Sequence, residues 1–215
     1  MFGLTLKRKA AAYRMTEVSG AADGTLAQGR RGIVIGTRIA TAQGWRDVGG
    51  ILAGDMVLTF DNGMQPVLEV RRTVLMPSGD AKDWPLAVPG GALGNGEPMM
   101  LSPRQMVVVE SDMAEAIHGD PFVAVPAMAL DGVCGVAPVF PREGIELVTL
   151  HFAHEEVVFG GAGALFLCTQ GGNIVTDMGF GPAPYVALSL EEAREVVDSI
   201  EITIAPGGSP AQMVA

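Results

Sequence analysis

The sequence predicts an all-β (mainly β) protein, built from short strands that pair antiparallel. The first observation is a series of short β-prone runs separated by turn residues. Among these turns Asn62-Gly63 is a strong hairpin signal, because a type I′ turn needs positive φ at both central residues. The second is composition, since 48% of the 215 residues are apolar and 29 are glycine, which is typical of a turn-rich globular domain. The third is that the best helical pattern is a single short one near the C-terminal end.

The first predicted strands lie between residues 39 and 70. Ile39–Thr41 is predicted as a short strand that Gln43-Gly44 interrupts. Met56–Phe60 is predicted as the second strand, and after the turn at Asn62-Gly63 the chain continues as a third strand over Gln65–Val70. These runs predict a small antiparallel unit at the start of the domain.

Residues 71–100 are predicted to be rich in loops, with one strand at Trp84–Val88. The glycine-rich stretch Gly90–Gly96 is not expected to bind phosphate, because no helix and no Lys-Ser or Lys-Thr step follows it. Gly160–Gly163 likewise lacks the third glycine and the strand-helix alternation of a dinucleotide site. Neither stretch predicts a cofactor, and we expect none.

The C-terminal half is predicted to contain further strands and one helix. Phe122–Leu130 reads as a strand followed by a turn. Leu190–Ile200 is predicted as a helix, because Ser189 and Glu192 have capping-box spacing and the apolar residues after them fall on one face. Glu201–Ile204 is predicted to add a strand.

The chain is predicted to have three parts, which are a basic flexible arm over residues 1–31, a β domain over 32–204 and a tail over 205–215. Charge distinguishes the arm from the rest. The arm has six basic and two acidic residues and so carries +4, which leaves −10 − 4 = −14 for the remainder. An acidic body argues against nucleic acid as the main partner. The partner is left unknown, with a peptide or protein as the remaining class, and the arm is interpreted as a solvated or self-docking tail rather than a phosphate-binding one.

No run of 18 apolar residues occurs, so no membrane span is predicted. No classical signal peptide is recognised either, which leaves the cytoplasm as the default compartment. Cys134 and Cys168 form no disulfide framework and are interpreted as two buried thiols or as one pair.

The histidines predict no metal site. His151 and His154 lie in a β-branched stretch, and on a strand they would point to opposite faces. Glu155 and Glu156 would complete a ligand set only if the stretch were helical, which its composition disfavours. His118 is predicted to lie in a loop.

Several motifs, in the same order along the chain, resemble a known family. Gly36-Thr37, Gly54-Asp55 and Val57-Leu58-Thr59 are similar to the opening of the Hint fold shared by hedgehog autoprocessing domains and inteins. Gly91–Pro98 is similar to the segment before the second motif block of the bacterial Hedgehog/Intein (Hint) domain family, and Leu101–Val109 is similar to that block. The resemblance spans about residues 32–200 and implies a horseshoe of short antiparallel strands with one short C-terminal helix.

The same resemblance implies where catalytic residues would stand, and this chain matches the pattern at Ser102 but departs from it at the other positions. The nucleophilic Cys or Ser would lie five residues before Thr37, where Gly32 has no side chain to attack a carbonyl. The second block, Thr or Ser followed three residues later by His, reads Ser102 and Gln105, and glutamine cannot transfer a proton near neutral pH. Thr149 and Glu155 stand where relatives carry histidines.

The function predicted from these departures is a catalytically inactive Hint-like module with a structural or binding role. The alternative is residual self-cleavage near Arg31, by an N-to-O or N-to-S acyl shift onto a displaced nucleophile. Thr37 does not supply that nucleophile, since it lies on the order of 16 Å along an extended chain from Gly32. A third possibility is peptide binding by strand addition at an exposed sheet edge.

Overall fold

The computed structural model describes residues 31–168 and 185–203, which contain fifteen strands, two α-helices and four short 3-10 helices. Predictions on residues 1–30, 169–184 and 204–215 lie outside these residues. The strands are β1 Ile33–Val34, β2 Arg38–Thr41, β3 Gly44–Asp47, β4 Met56–Thr59, β5 Gly63–Pro66, β6 Glu69–Leu75, β7 Leu86–Val88, β8 Met99–Leu101, β9 Met106–Glu110, β10 Phe122–Pro126, β11 Ala137–Pro138, β12 Ile145–His151, β13 Glu156–Gly160, β14 Ala164–Cys168 and β15 Val186–Ala187. The α-helices are α1 Asp112–His118 and α2 Leu190–Thr203.

These strands form two sheets, and the predicted all-β class is confirmed. The six-stranded sheet has the order β11-β7-β8-β1-β12-β6. The nine-stranded sheet has the order β15-β10-β9-β14-β13-β2-β4-β5, with β3 paired to β2. Every pair is antiparallel except β10 with β15. Within the described residues, no helix is long and apolar enough to cross a membrane.

The start of the domain is held inside the six-stranded sheet. Ile33 of β1 pairs with Val148 of β12 on one side and with Leu101 of β8 on the other. All three side chains are buried. Residues 31 and 32, which precede this strand, are therefore placed against β12 and the end of β8.

The single strand predicted over Gln65–Val70 is wrong, because the chain leaves one sheet and enters the other there. Pro66 ends β5, since it has no N–H for a further ladder bond. The next two amides bond elsewhere, Val67 N–H to the Asp55 carbonyl at 2.9 Å and Leu68 N–H to the His151 carbonyl at 2.8 Å. Residues 69–75 then form β6, so the predicted loop over residues 71–75 is also wrong.

Two further elements differ from prediction near sequence breakers. The Gln43-Gly44 break is a hairpin turn, after which Gly44–Asp47 pairs with β2 as β3. His118 does not lie in a loop but is the last residue of α1, which the Ser111 side chain caps at its start and Gly119, with φ +76°, ends. The predicted fold therefore lacked one of the two helices.

The predicted capping box of α2 is confirmed. The Ser189 N–H donates to Glu192 Oε2 at 2.9 Å, and the Glu192 N–H donates to Ser189 Oγ at 3.3 Å. The Ser189 hydroxyl, and after it the Ser189 N–H, hold the pKa of the Glu192 carboxyl below its ordinary value. The helix continues through Glu201–Thr203, so the strand predicted there is wrong.

The glycine-rich stretches Gly90–Gly96 and Gly160–Gly163 pack directly against each other. A Cβ atom built on Gly163 would lie 2.0 Å from the carbonyl oxygen of Gly94, which shows how closely the two backbones approach. Asn95, next to Gly94, is buried, and its Nδ2 donates to the carbonyls of Pro89 and Glu97 at 2.9 and 2.8 Å. The glycines serve close backbone packing between the two sheets.

Candidate functional site

A cavity of about 110 Å³ lies beside the start of β1. Its lining brings together Gly32 and Gln105, which the motif spacing singled out, and also Thr149 and Glu155, which stand where the resemblance places histidines. His151 and His154 are not among its lining residues. The sequence-predicted positions therefore meet in one cleft although they lie on separate elements.

Gly32 has a backbone conformation that a side chain would strain. Its φ is +147°, a value that residues with a Cβ rarely adopt. A Cβ built there would lie 3.0 Å from Leu147 Cβ and 3.2 Å from Thr149 Oγ1. Both the backbone angle and the close neighbouring atoms therefore favour glycine at the position of the expected nucleophile.

We expect Gly32→Ala to lower the free energy of unfolding by about 1–3 kcal/mol, because the new Cβ meets an unfavourable φ and tight neighbours together. Gly36→Ala is the matched control. Gly36 also has positive φ, +89°, but a Cβ there meets no atom within 4 Å. Urea unfolding of both variants measures the difference, and an equal loss in the two would show that the contacts around Gly32 contribute nothing.

Two hydroxyl groups bind the peptide carbonyls at this point. Ser102 is fully buried and its Oγ donates to the Gly32 carbonyl at 2.9 Å. Thr149 Oγ1 donates to the Arg31 carbonyl at 3.3 Å. Thr149 therefore binds the carbonyl of the residue that directly precedes Gly32.

Gln105 is buried and already bonded to other parts of the fold. Its Nε2 donates to the carbonyl of Met106 at 3.0 Å and to that of Leu167 at 3.2 Å. An amide nitrogen has two hydrogens, so these two bonds use both of them. The side chain therefore ties β9 to β14 and directs no donor to the Arg31–Gly32 peptide.

Cys168 also lines the cavity, and the sequence motifs did not place it there. Burial, and after it the nearby Glu156 carboxylate, raise the pKa of this thiol to about 12. Glu156 is itself buried, and both its oxygens accept from Asn62 Nδ2, at 3.2 and 3.0 Å. The signal that could have found Cys168 is the period-two pattern of β14, which places it on the buried face with Ala164 and Phe166.

The described cysteines are not joined in a disulfide, with Cys168 buried and Cys134 half-buried. Cys134 lines a second, larger cavity of about 390 Å³. Apart from Glu110 and Cys134, that lining is apolar or glycine, so it offers little polar chemistry. Among the described residues, no three His, Cys, Asp or Glu side chains are grouped to hold a metal ion.

Comparison with known proteins identifies the family. The family model described as "Hint domain" matches residues 32–165, more than half of the chain. Among solved structures, an intein-like domain from Clostridium thermocellum is 18% identical and covers 64% of this chain and 98% of its own, with a TM-score of 0.47. The gp41-1 intein is 13% identical and covers 65% of this chain and 98% of its own, with a TM-score of 0.41. No curated protein matches. The matched segment begins at Gly32 and includes the block that contains Ser102 and Gln105. The chain therefore belongs to the Hint domain family.

Proposed function

We propose that this Hint domain is catalytically inactive and serves as a structural or binding module that keeps its N-terminal junction uncleaved. The observation that carries the proposal is Gly32, which stands at the first residue of the family match and has no side chain. Self-cleavage begins when a thiol or hydroxyl at that position attacks the preceding carbonyl. Glycine offers no such group, and its φ of +147° disfavours any residue that would.

The hydrogen bonds of Gln105 support the same proposal. Cleavage requires a group that protonates the departing amide nitrogen. Glutamine carries no transferable proton near neutral pH, and both Nε2 hydrogens here are given to the Met106 and Leu167 carbonyls. Gln105 therefore cannot protonate the departing nitrogen, just as Gly32 cannot attack the carbonyl.

The second candidate function is residual self-cleavage, and it is favoured by the thiol and the hydroxyl that share the cleft with Arg31. The Cys168 pKa of about 12 weighs against it, because only about one thiol in 10⁵ is ionised at pH 7 and the thiolate is the reactive form. Thr149 Oγ1 donates to the Arg31 carbonyl oxygen, which is the position of a stabilising donor rather than of an attacking atom.

Incubation of the full chain tests the proposal directly. We expect a single species of 22.3 kDa after prolonged incubation near neutral pH, with or without dithiothreitol or hydroxylamine, read by intact mass spectrometry. A product that begins at Gly32 would overturn it. Cys168→Ala and Thr149→Val would then identify the nucleophile, since the responsible variant would lose that product.

A further inference from the structure

We propose that the outer face of the nine-stranded sheet, where β2–β5 meet β13, is a dimer interface, and that its partner is a second copy of this chain. Six apolar residues form the outer patch of this face, namely Trp45, Met56, Leu58, Phe60, Met64 and Phe159. None of them lines the cavity beside Gly32. The outer patch is thus a second surface, separate from the cleft of the proposed function.

Strand pairing brings the hairpins β2–β3 and β4–β5 together with one side outward. Trp45 pairs with Ala40 across the first hairpin, so both point to the same side. Thr41 pairs with Val57 between the hairpins, and both side chains are buried. Because side chains alternate along a strand, their neighbours Ala40 and Leu58 lie on the opposite, outer side.

The outer patch extends from Leu58 over the neighbouring strands. Leu58 pairs with Met64 of β5, which is the edge strand beside β4. Met56 and Phe60, two residues to either side of Leu58, share its side of the sheet. Phe60 also contacts Phe159 of β13, with ring centroids 5.9 Å apart. The outer patch is therefore continuous across five strands.

The exposed area of the outer patch has the size that a stable dimer needs. Trp45, Met56, Phe60 and Met64 are each 38–42% exposed although they are large and apolar. The patch as a whole leaves roughly 400 Å² of apolar surface exposed, a size at which surface patches mark interaction sites. A standard interface of about 800 Å² per partner, roughly 57–65% of it apolar, contains a similar apolar area.

The composition of the patch favours a second copy as the partner. A two-fold dimer places the same surface of both chains against itself. The six residues of the outer patch carry no charge, so this arrangement brings no like charges together at its centre. Trp, Phe and Met are also residue types enriched in the buried centre of interfaces. The outer patch is thus complementary to itself.

The charges beside the patch disfavour an anionic membrane as its partner. Asp47 pairs with Arg38 on the outer side of β2 and β3, and Asp61 directly follows Phe60. The Arg38 guanidinium is 3.4 Å from the carboxylate of Glu97 and is therefore already paired. Binding to an anionic membrane surface instead relies on Lys and Arg side chains around the apolar face.

Sedimentation equilibrium of the full chain at about 1–100 µM tests the proposal. We expect twice the mass of 22.3 kDa at the highest concentration and dissociation on dilution. Because two chains of net charge −10 repel each other, added NaCl should tighten a dimer that apolar contacts hold together. A mass of 22.3 kDa at every concentration would overturn the proposal. Association that weakens with salt would also overturn it, because charges would then hold the chains together.

Met64→Glu is expected to raise the dimer dissociation constant about 30-fold or more, because a carboxylate replaces an apolar side chain inside the interface. Met76→Glu is the matched control, since Met76 is 65% exposed and directly follows β6 in the other sheet. We expect this control to dimerise as the wild type does. Equal dissociation constants for the two variants would exclude the outer patch as the interface.

Trp45 fluorescence provides a readout that needs no change within the patch. The chain has one other tryptophan, Trp84, which packs on Phe140 with ring centroids 5.2 Å apart. In Trp84→Phe only Trp45 remains, and its burial in the dimer should shift the emission to shorter wavelength as the concentration rises. Emission that is the same for monomer and dimer would show that the chains associate through another surface.

Discussion

Gly163→Ala is expected to lower the free energy of unfolding by about 3 kcal/mol or more. The added Cβ would lie 2.0 Å from the Gly94 carbonyl oxygen and 2.8 Å from its carbonyl carbon. Both are backbone atoms, so no side-chain rotation relieves the clash. The turn before β14 and the loop before β8 must move apart, and with them the packing around buried Asn95. For a chain of this size we expect the melting temperature to fall by roughly 6–12 °C.

Gly79→Ala separates this steric effect from a general effect of adding a methyl group. A Cβ built on Gly79 meets no atom within 4 Å, and its φ is not in the strained range. Thermal unfolding of the two variants side by side should show a large loss for Gly163 and little change for Gly79. Similar melting temperatures would mean that the two loops do not pack as closely as described.

The glycines also show where prediction from sequence stops. The hairpin predicted at Asn62-Gly63 is present, but the type I′ turn is wrong, because only Gly63 of the pair has positive φ, +66°, and Thr59 pairs with Gly63 across a longer loop. The contact between Gly94 and Gly163 joins residues 69 positions apart, and no local pattern contains it. The crossing from β5 to β6 was missed for the same reason, since the Leu68 amide finds its acceptor on β12, at His151.

The residues of the cleft likewise include some that local spacing indicates and others that depend on strand pairing. Spacing to Thr37 and within the second block pointed to Gly32, Ser102 and Gln105, and the burial of Gly32 and Ser102 around the start of β1 follows from strand pairing. The bond from Thr149 to the Arg31 carbonyl could not be read from spacing, because it spans 118 positions and depends on the register of β12 with β1.

Cys168 gives the second large effect, a loss of stability at high pH. Its folded pKa of about 12 lies above the ordinary thiol value of 9.0, because burial disfavours the thiolate. Between these values the unfolded chain releases the proton and the folded chain keeps it, so the unfolded state gains stability as pH rises. The expected loss is about 1.4 kcal/mol for each pH unit well above 9, and it levels off near pH 12.

Cys168→Ala removes this thiol and leaves Cys134 in place, so it is the matched control for every other group that titrates in the same range. Urea unfolding under reducing conditions at pH 8 and pH 10.5 should show a wild-type stability that falls more steeply than that of the variant. The variant loses some packing at both pH values, which shifts its curve without changing the slope. Parallel curves would mean that the thiol ionises as easily in the folded chain as in the unfolded one. Cys168 would then be an accessible nucleophile beside the Arg31–Gly32 bond, and protonation of its thiol would no longer argue against residual self-cleavage.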